Sequence, residues 1–193
     1  KSRKVYEANI TGFDALKKSD FDPNGKFFLE RYVAAHAIRI SFEGIPAIYF
    51  NSLFGKSNDE AKYVITGNNR DINRYKWSYE NITKKLNDKN SKQSIFYQNL
   101  GKLLEIKRKQ KAFHPNAKRL NINLGSKIFC YERISLDKKQ TIICITNLST
   151  KLQYIKINKN LIKYRDLLGR KTFFTLDKKI KLDPCQTIWL SNR

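Results

Sequence analysis

Methionine is missing from all 193 residues, position 1 included. Translation begins on methionine, so we read the chain as a piece of something longer, and its opening KSRKVYEANIT already has the look of mid-domain sequence. Long apolar runs are missing too. Nothing approaches the ~18 residues that a bilayer-spanning helix needs, and Lys1 to Glu7 lead into polar sequence rather than the apolar stretch of a secretory signal. These absences predict a cytoplasmic protein with no membrane partner. Histidine is scarce: His36 and His114 lie far apart, without companion ligands at useful spacing, so neither a metal nor another cofactor is expected. Cys130, Cys144 and Cys185 sit in apolar runs without C-x-x-C spacing, which predicts buried, reduced thiols.

Negative charge is also in short supply. Asp plus Glu number 17 against 39 Lys plus Arg, a net charge of +22. Such a surplus attracts phosphate backbones at low salt. Here the cations are spread along the whole chain rather than gathered into one block, and we expect no specific nucleic-acid partner. What remains is a core-forming composition, 40% hydrophobic with twelve Phe, ten Tyr and two Trp, long enough for one large domain or two small ones.

The first half has helical character. FDALKKS predicts a short helix, and Asp22-Pro23-Asn24-Gly25 a turn. From Lys26 to about Phe42, apolar residues recur at helical spacing and stop near Gly44. GIPAIYF, residues 44–50, is apolar without alternation, the pattern of a strand buried on both faces in a parallel sheet. A polar-rich loop of more than twenty residues follows, ending in RDINRYKW. Ser78 predicts a helix start, and residues 91–112 predict the clearest helix of the chain.

Phe113-His114-Pro115-Asn116 breaks that pattern, and the expected domains are 1–113 and 114–193. Beyond it the period becomes two. RLNINL, KIFCYERI, QTIICITNL, LQYIKIN, RKTFFTL and QTIWLSN predict six short strands of an antiparallel β-sandwich with one polar face.

GIPAIYFNSLFGKSNDEAKYVITGNNRDINR resembles the last barrel strand and loop of the sucrose-phosphorylase branch of the α-amylase superfamily. YEANITGFDAL is similar to that branch's element before the last barrel helix, KLLEIKRKQKAFHP resembles the last helix itself, and ITNLS, RDLLG and LDPCQTIWL resemble the C-terminal β domain. Glu43 and Cys185 depart from the pattern, where a small residue or proline and an aromatic are usual.

The resemblance implies the C-terminal portion of a (β/α)8 barrel followed by a small antiparallel β-sandwich domain. It also implies a retaining α-glucoside-active enzyme, a sugar phosphorylase passing glucosyl from a sucrose- or glucosylglycerate-type glucoside to phosphate. A hydrolase or transglucosidase of the superfamily is the alternative, and a basic nucleic-acid-binding module a more distant one. The partners so implied are a small sugar and inorganic phosphate. The catalytic carboxylates are expected upstream of Lys1; Asp14, Asp59 and Asp71 are not promoted to replace them.

By the same resemblance, Tyr6 and Glu7 face the acceptor, Asn9 holds their loop through backbone bonds, and Arg70 reaches the acceptor or phosphate with Asp71 orienting it. Glu7 stands where sucrose-preferring members have Gln. The residues leave a structural reading open: Arg70 as an ion pair with Asp71 or Glu60, and Tyr75 and Trp77 as anchors of the loop.

Overall fold

The computed structural model describes residues 7–161, 163–169 and 179–193. Thr11 stands in extended backbone and its hydroxyl accepts the Asp14 amide, which starts α1 at Gly12–Lys17. The predicted turn follows. The Asp22 carboxylate accepts the Lys26 and Phe27 amides at 2.8 and 3.0 Å and pairs with Arg31 at 3.0 Å. Burial works against this carboxylate, but those amides and the guanidinium outweigh it and hold its pKa below the ordinary value. Gly25 has φ +68°, and a Cβ there would lie 2.6 Å from the Lys17 carbonyl oxygen, so the turn requires glycine.

The chain then enters α2 (Phe28–Ser41) and, after an irregular stretch, α3 (Phe50–Leu53), α4 (Glu60–Thr66), a 3-10 turn (Asn69–Ile72), α5 (Tyr79–Asn87) and α6 (Lys92–Arg108). Ser78 caps α5 as expected, its hydroxyl accepting the Asn81 amide at 3.2 Å. The long loop expected after residue 50 therefore holds two short helices and a 3-10 turn, because Asp59 caps α4 and Gly67 ends it in the left-handed region.

Residues 45–49 form no strand, and Ile45 is 85% exposed. That corrects the expectation of a stretch buried on both faces. A parallel strand takes its hydrogen bonds from flanking strands, and none pairs with it among the described residues. Ile45, Ala47 and Tyr49 stay exposed, while Ile48 packs in part against the helical core.

Strands follow: β1 (Lys118–Asn123), β2 (Ile128–Ile134), β3 (Thr141–Asn147), β4 (Gln153–Ile155), β5 (Arg165–Asp166), β6 (Ile180–Leu182) and β7 (Thr187–Ser191). Five make an antiparallel sheet in the order β1-β2-β3-β7-β5; β4 and β6 pair separately. RKTFFTL, residues 170–176, lies outside the described residues, and the strand expected across LQYIKIN shrinks to three residues.

The expected polar face is absent from the sheet's centre: β7 is buried along its whole length and β3 beyond its first residue. One side, through Tyr131, Ile142, Cys144 and Trp189, shares a core with Tyr32, Ala37, Phe96 and Leu100 of α2 and α6. The other, through Ile143, Ile145, Ile188 and Leu190, packs on Ile155, Ile180 and Leu182 of the smaller sheet. Burying both faces removes any need for period-two polarity.

Arg133 joins the two halves. Wholly buried, it donates from Nη1 to the Ser41 carbonyl at 2.7 Å and from Nη2 to the His114 and Ala117 carbonyls at 2.8 and 3.2 Å. Glu43, one of the two departures, pairs with Arg119 at 3.3 Å across the same joint. The other, Cys185, is buried in a turn with φ 53°.

Candidate functional site

Asn51 is the pivot of the region. It is the first polar residue after the apolar stretch, and it is buried. Its Nδ2 donates to the Tyr75 carbonyl at 3.0 Å and, more weakly, to the Asn73 carbonyl at 3.4 Å, while its Oδ1 accepts the Trp77 indole N–H at 3.0 Å. One side chain thus pins both ends of the segment that follows RDI. Aromatic contacts reinforce it: Trp77 meets Tyr75 and Phe54 edge-on, and the Lys56 ammonium sits 4.1 Å from the Tyr75 ring centre. Tyr75 and Trp77 are anchors of the loop.

A second set of bonds ties residues 7–11 to the same place. The Asn58 side chain accepts the Thr11 amide at 2.9 Å, and the Asp14 carboxylate accepts the Asn58 amide at 2.6 Å. The neighbouring Asp59 amide donates to the Ile72 carbonyl at 2.8 Å. Residues 56–59 therefore hold the segment before α1 on one side and the 3-10 turn on the other.

The outcome is a meeting of residues 63 positions apart: Arg70 Nε donates to Glu7 Oε2 at 3.2 Å. Both side chains remain partly open to solvent. Among the described residues Arg70 commits one of its five N–H donors, to this contact, so the pair is an exposed cation with a carboxylate beside it, suited to a polar ligand. Screening by water keeps the pair itself weak.

Asp71 is turned elsewhere. Thr66 Oγ1 donates to it at 2.8 Å and the Lys62 ammonium lies 3.2 Å away; these bonds, Thr66 first, hold its pKa below the ordinary value. Asp71 braces α4 against the 3-10 turn, and Glu7, rather than Asp71 or Glu60, is the carboxylate on Arg70. Asn9 lies on the same segment as Glu7, with its Oδ1 buried and without a hydrogen-bond partner among the described residues. Tyr6 lies outside the described residues.

Sequence reasoning singled out Arg70 and Glu7 separately but missed their pairing, which no local pattern encodes. It also missed Asn51, for which a signal existed: a lone amide closing an apolar run.

Among the described residues no helix is long and apolar enough to cross a membrane. No family model matches the chain. Glucosylglycerate phosphorylase of Escherichia coli (strain K12) is 32% identical over 196 residues, an alignment covering 98% of this chain and 33% of that protein. Over nearly its whole length the chain is similar to the sucrose-phosphorylase-like branch of the α-amylase superfamily. Sucrose phosphorylase of Agrobacterium vitis, of the same branch, is 38% identical over 71 residues, 37% of this chain and 13% of that one. The crystal structure of AmyP E221Q in complex with maltotriose superposes with a TM-score of 0.68 at 16% identity, over 89% of this chain and 36% of that one. The fold is accordingly the C-terminal portion of a (β/α)8 barrel followed by a small antiparallel β domain. The chain spans about a third of the length of the first of these branch members.

Proposed function

We propose that this chain is the C-terminal part of a retaining glucoside phosphorylase, which transfers a glucosyl group from a sucrose- or glucosylglycerate-type glucoside to inorganic phosphate. The observation that carries the reading is the similarity to a glucosylglycerate phosphorylase along 98% of the chain. In this reading residues 1–113 complete the catalytic barrel and residues 114–193 form the C-terminal β domain. The nucleophile, the acid/base and the stabilising carboxylate come from earlier barrel strands. A carboxylate displaces the aglycone, which the acid protonates, and phosphate then attacks the glucosyl-enzyme with inversion of each step, retaining configuration overall.

The rim pair is supported as the acceptor-side contribution of this chain. A loop after a barrel strand is where such folds carry function, and Arg70 presents a two-pronged donor to a phosphate or an acceptor carboxylate. Glu7 beside it limits net positive charge and accepts hydroxyl hydrogen bonds. Tyr6, Asn9 and Asp71 complete the proposed contact region, Asp71 by fixing the turn that carries Arg70. The three free, buried thiols support a reducing, cytoplasmic location.

The test uses the full-length protein. Glucose 1-phosphate should be released from candidate glucosides only when phosphate is present. Arg70→Ala should lower kcat/KM by about ten- to a hundredfold, the loss of one charge-assisted contact of about 1.5–3 kcal/mol. An unchanged rate removes Arg70 from the site, and release of free glucose at the same rate without phosphate replaces phosphorolysis with hydrolysis.

A further inference from the structure

Midway along α2, His36 is buried, 2% exposed, and takes no part in the rim site. Its Nδ1 lies 2.9 Å from the Tyr32 carbonyl oxygen, one turn earlier. A carbonyl only accepts, so Nδ1 carries the proton and, in the neutral ring, Nε2 is an acceptor. Nε2 is buried and has no hydrogen-bond partner among the described residues. Protonation would place a charge and a second N–H there, with nothing to receive either.

A short run of contacts connects this ring to the rim. The His36 and Tyr32 rings lie 4.4 Å apart between centres, and Tyr32 is wholly buried among Phe13, Phe28 and Phe96. At its far end the Tyr32 hydroxyl donates to the Ser52 carbonyl in α3. Next to Ser52 is Asn51, which holds the Tyr75 and Trp77 segment behind Arg70. A histidine that leaves its place in α2 therefore disturbs the prop under α3.

The surroundings oppose protonation. Burial does most to lower the His36 pKa; the bond to the Tyr32 carbonyl works the other way, and Arg39 of the same helix adds to the lowering. On the sheet side, Tyr131 and Cys144 act at Ser41, further along α2, and burial raises both so that they stay neutral. Phe13 of α1 and Phe96 of α6, packed on the Tyr32 ring, carry no charge. Tyr32 itself is pushed up to about 12 and is neutral too.

We propose that His36 is a positioning residue for the rim: neutral, it seats the Tyr32 turn of α2 under α3, and on protonation it leaves the core and loosens Asn51 and the segment behind Arg70. In the loosened form His36 reaches water and titrates near the ordinary value of about 6.5, whereas the seated form takes its proton only at lower pH. The stability that neutral His36 contributes is full above about pH 6.5 and is lost as pH falls toward the folded value. Loosening should therefore grow about tenfold between about pH 7.5 and pH 5.5. Its effect on turnover rests on the function proposed above; the loosening itself does not.

Amide exchange of the full-length protein at those two pH values, corrected for intrinsic rates, tests this. Ser52, Leu53 and residues 68–77 should open about tenfold more at the lower pH, with β3 as the unchanged reference. His36→Asn removes the titration and keeps a donor to the carbonyl four residues earlier, a geometry that Asn99 already adopts with Ile95 at 2.8 Å. In that variant the two pH values should agree within about twofold. A flat response in the parent overturns the proposal, and so does the same rise in the variant, which assigns it to another group. Should the variant not fold, the parent's own ring decides by nuclear magnetic resonance. His36 should be neutral and protonated at Nδ1 at about pH 6, and a charged ring there, in a protein whose β3 is intact, refutes the proposal. The KM for phosphate should climb more steeply with acid in the parent than in His36→Asn, and equal slopes contradict the positioning role. Turnover that needs no phosphate sinks the proposed function and leaves the exchange result standing.

Discussion

Replacing Asn51 by alanine should release the segment that follows Arg70 without unfolding the rest. The side chain makes two well-formed bonds at 3.0 Å, to the Tyr75 carbonyl and from the Trp77 indole, and two longer ones at 3.4 Å to the Asn73 carbonyl and the Tyr49 hydroxyl. At about 1 kcal/mol net apiece, the two good bonds account for about 2 kcal/mol. If Tyr75 and Trp77 stayed in place, their stranded polar groups would add about 1–3 kcal/mol each. Opening to water is the cheaper escape, so the cost is capped near about 2–4 kcal/mol and is expressed as local opening. Amide exchange of residues 68–77 in the full-length protein should then quicken by about thirtyfold to a thousandfold. Asn51→Asp keeps the acceptor for Trp77 but turns a carboxylate toward two carbonyl oxygens, and should open the segment at least as far. Exchange within about threefold of the parent in both variants would refute the assignment of Asn51 as the pivot.

Other regions make their own predictions. Arg133→Met strands the Ser41, His114 and Ala117 carbonyls at the joint between helices and sheet, and should cost about 2–4 kcal/mol in chemical denaturation; a change under about 0.5 kcal/mol would contradict the clamp. Burial pushes the Cys130 and Cys144 thiols up to about 12, so at mildly alkaline pH neither should be alkylated until the protein unfolds, and prompt labelling of the folded protein would count against their placement. The lowered pKa of Asp22 means that it contributes stability above the unfolded-state pKa, which is lost as pH falls through the folded value. Asp22→Asn should therefore flatten the loss of stability below about pH 4, and an acid-unfolding curve identical in shape to the parent's would contradict this.

What could be read from the sequence was whatever is encoded over a few residues. Helix α2 announced itself by apolar spacing and the glycine past its end, α5 by Ser78, and the β2 and β3 hairpin by β-branched runs around Asp137-Lys138-Lys139. Strands β5 and β6 escaped because they are two and three residues long and owe their conformation to partners, β7 for one and β4 for the other. Helix α4 escaped because its Val64 and Ile65 point outward, so no amphipathic stripe marks it. Residues 44–50 show the opposite case: a pattern of burial whose covering strands are not among the described residues. Of the site, Arg70 and Glu7 were visible as residue types, but their meeting depends on Asn58, Asp14 and Asp59 fastening two distant segments together.

The proposed function requires that residues 45–49, unpaired among the described residues, become the closing strand of a barrel in the full-length protein. Amide hydrogen exchange on the full-length protein measures this directly. The amides of Ala47, Ile48 and Tyr49 should be protected as strongly as those of β3, because strands on both sides would bond them. Exchange at the rate of an unpaired loop, in a protein whose β3 remains protected, would contradict it.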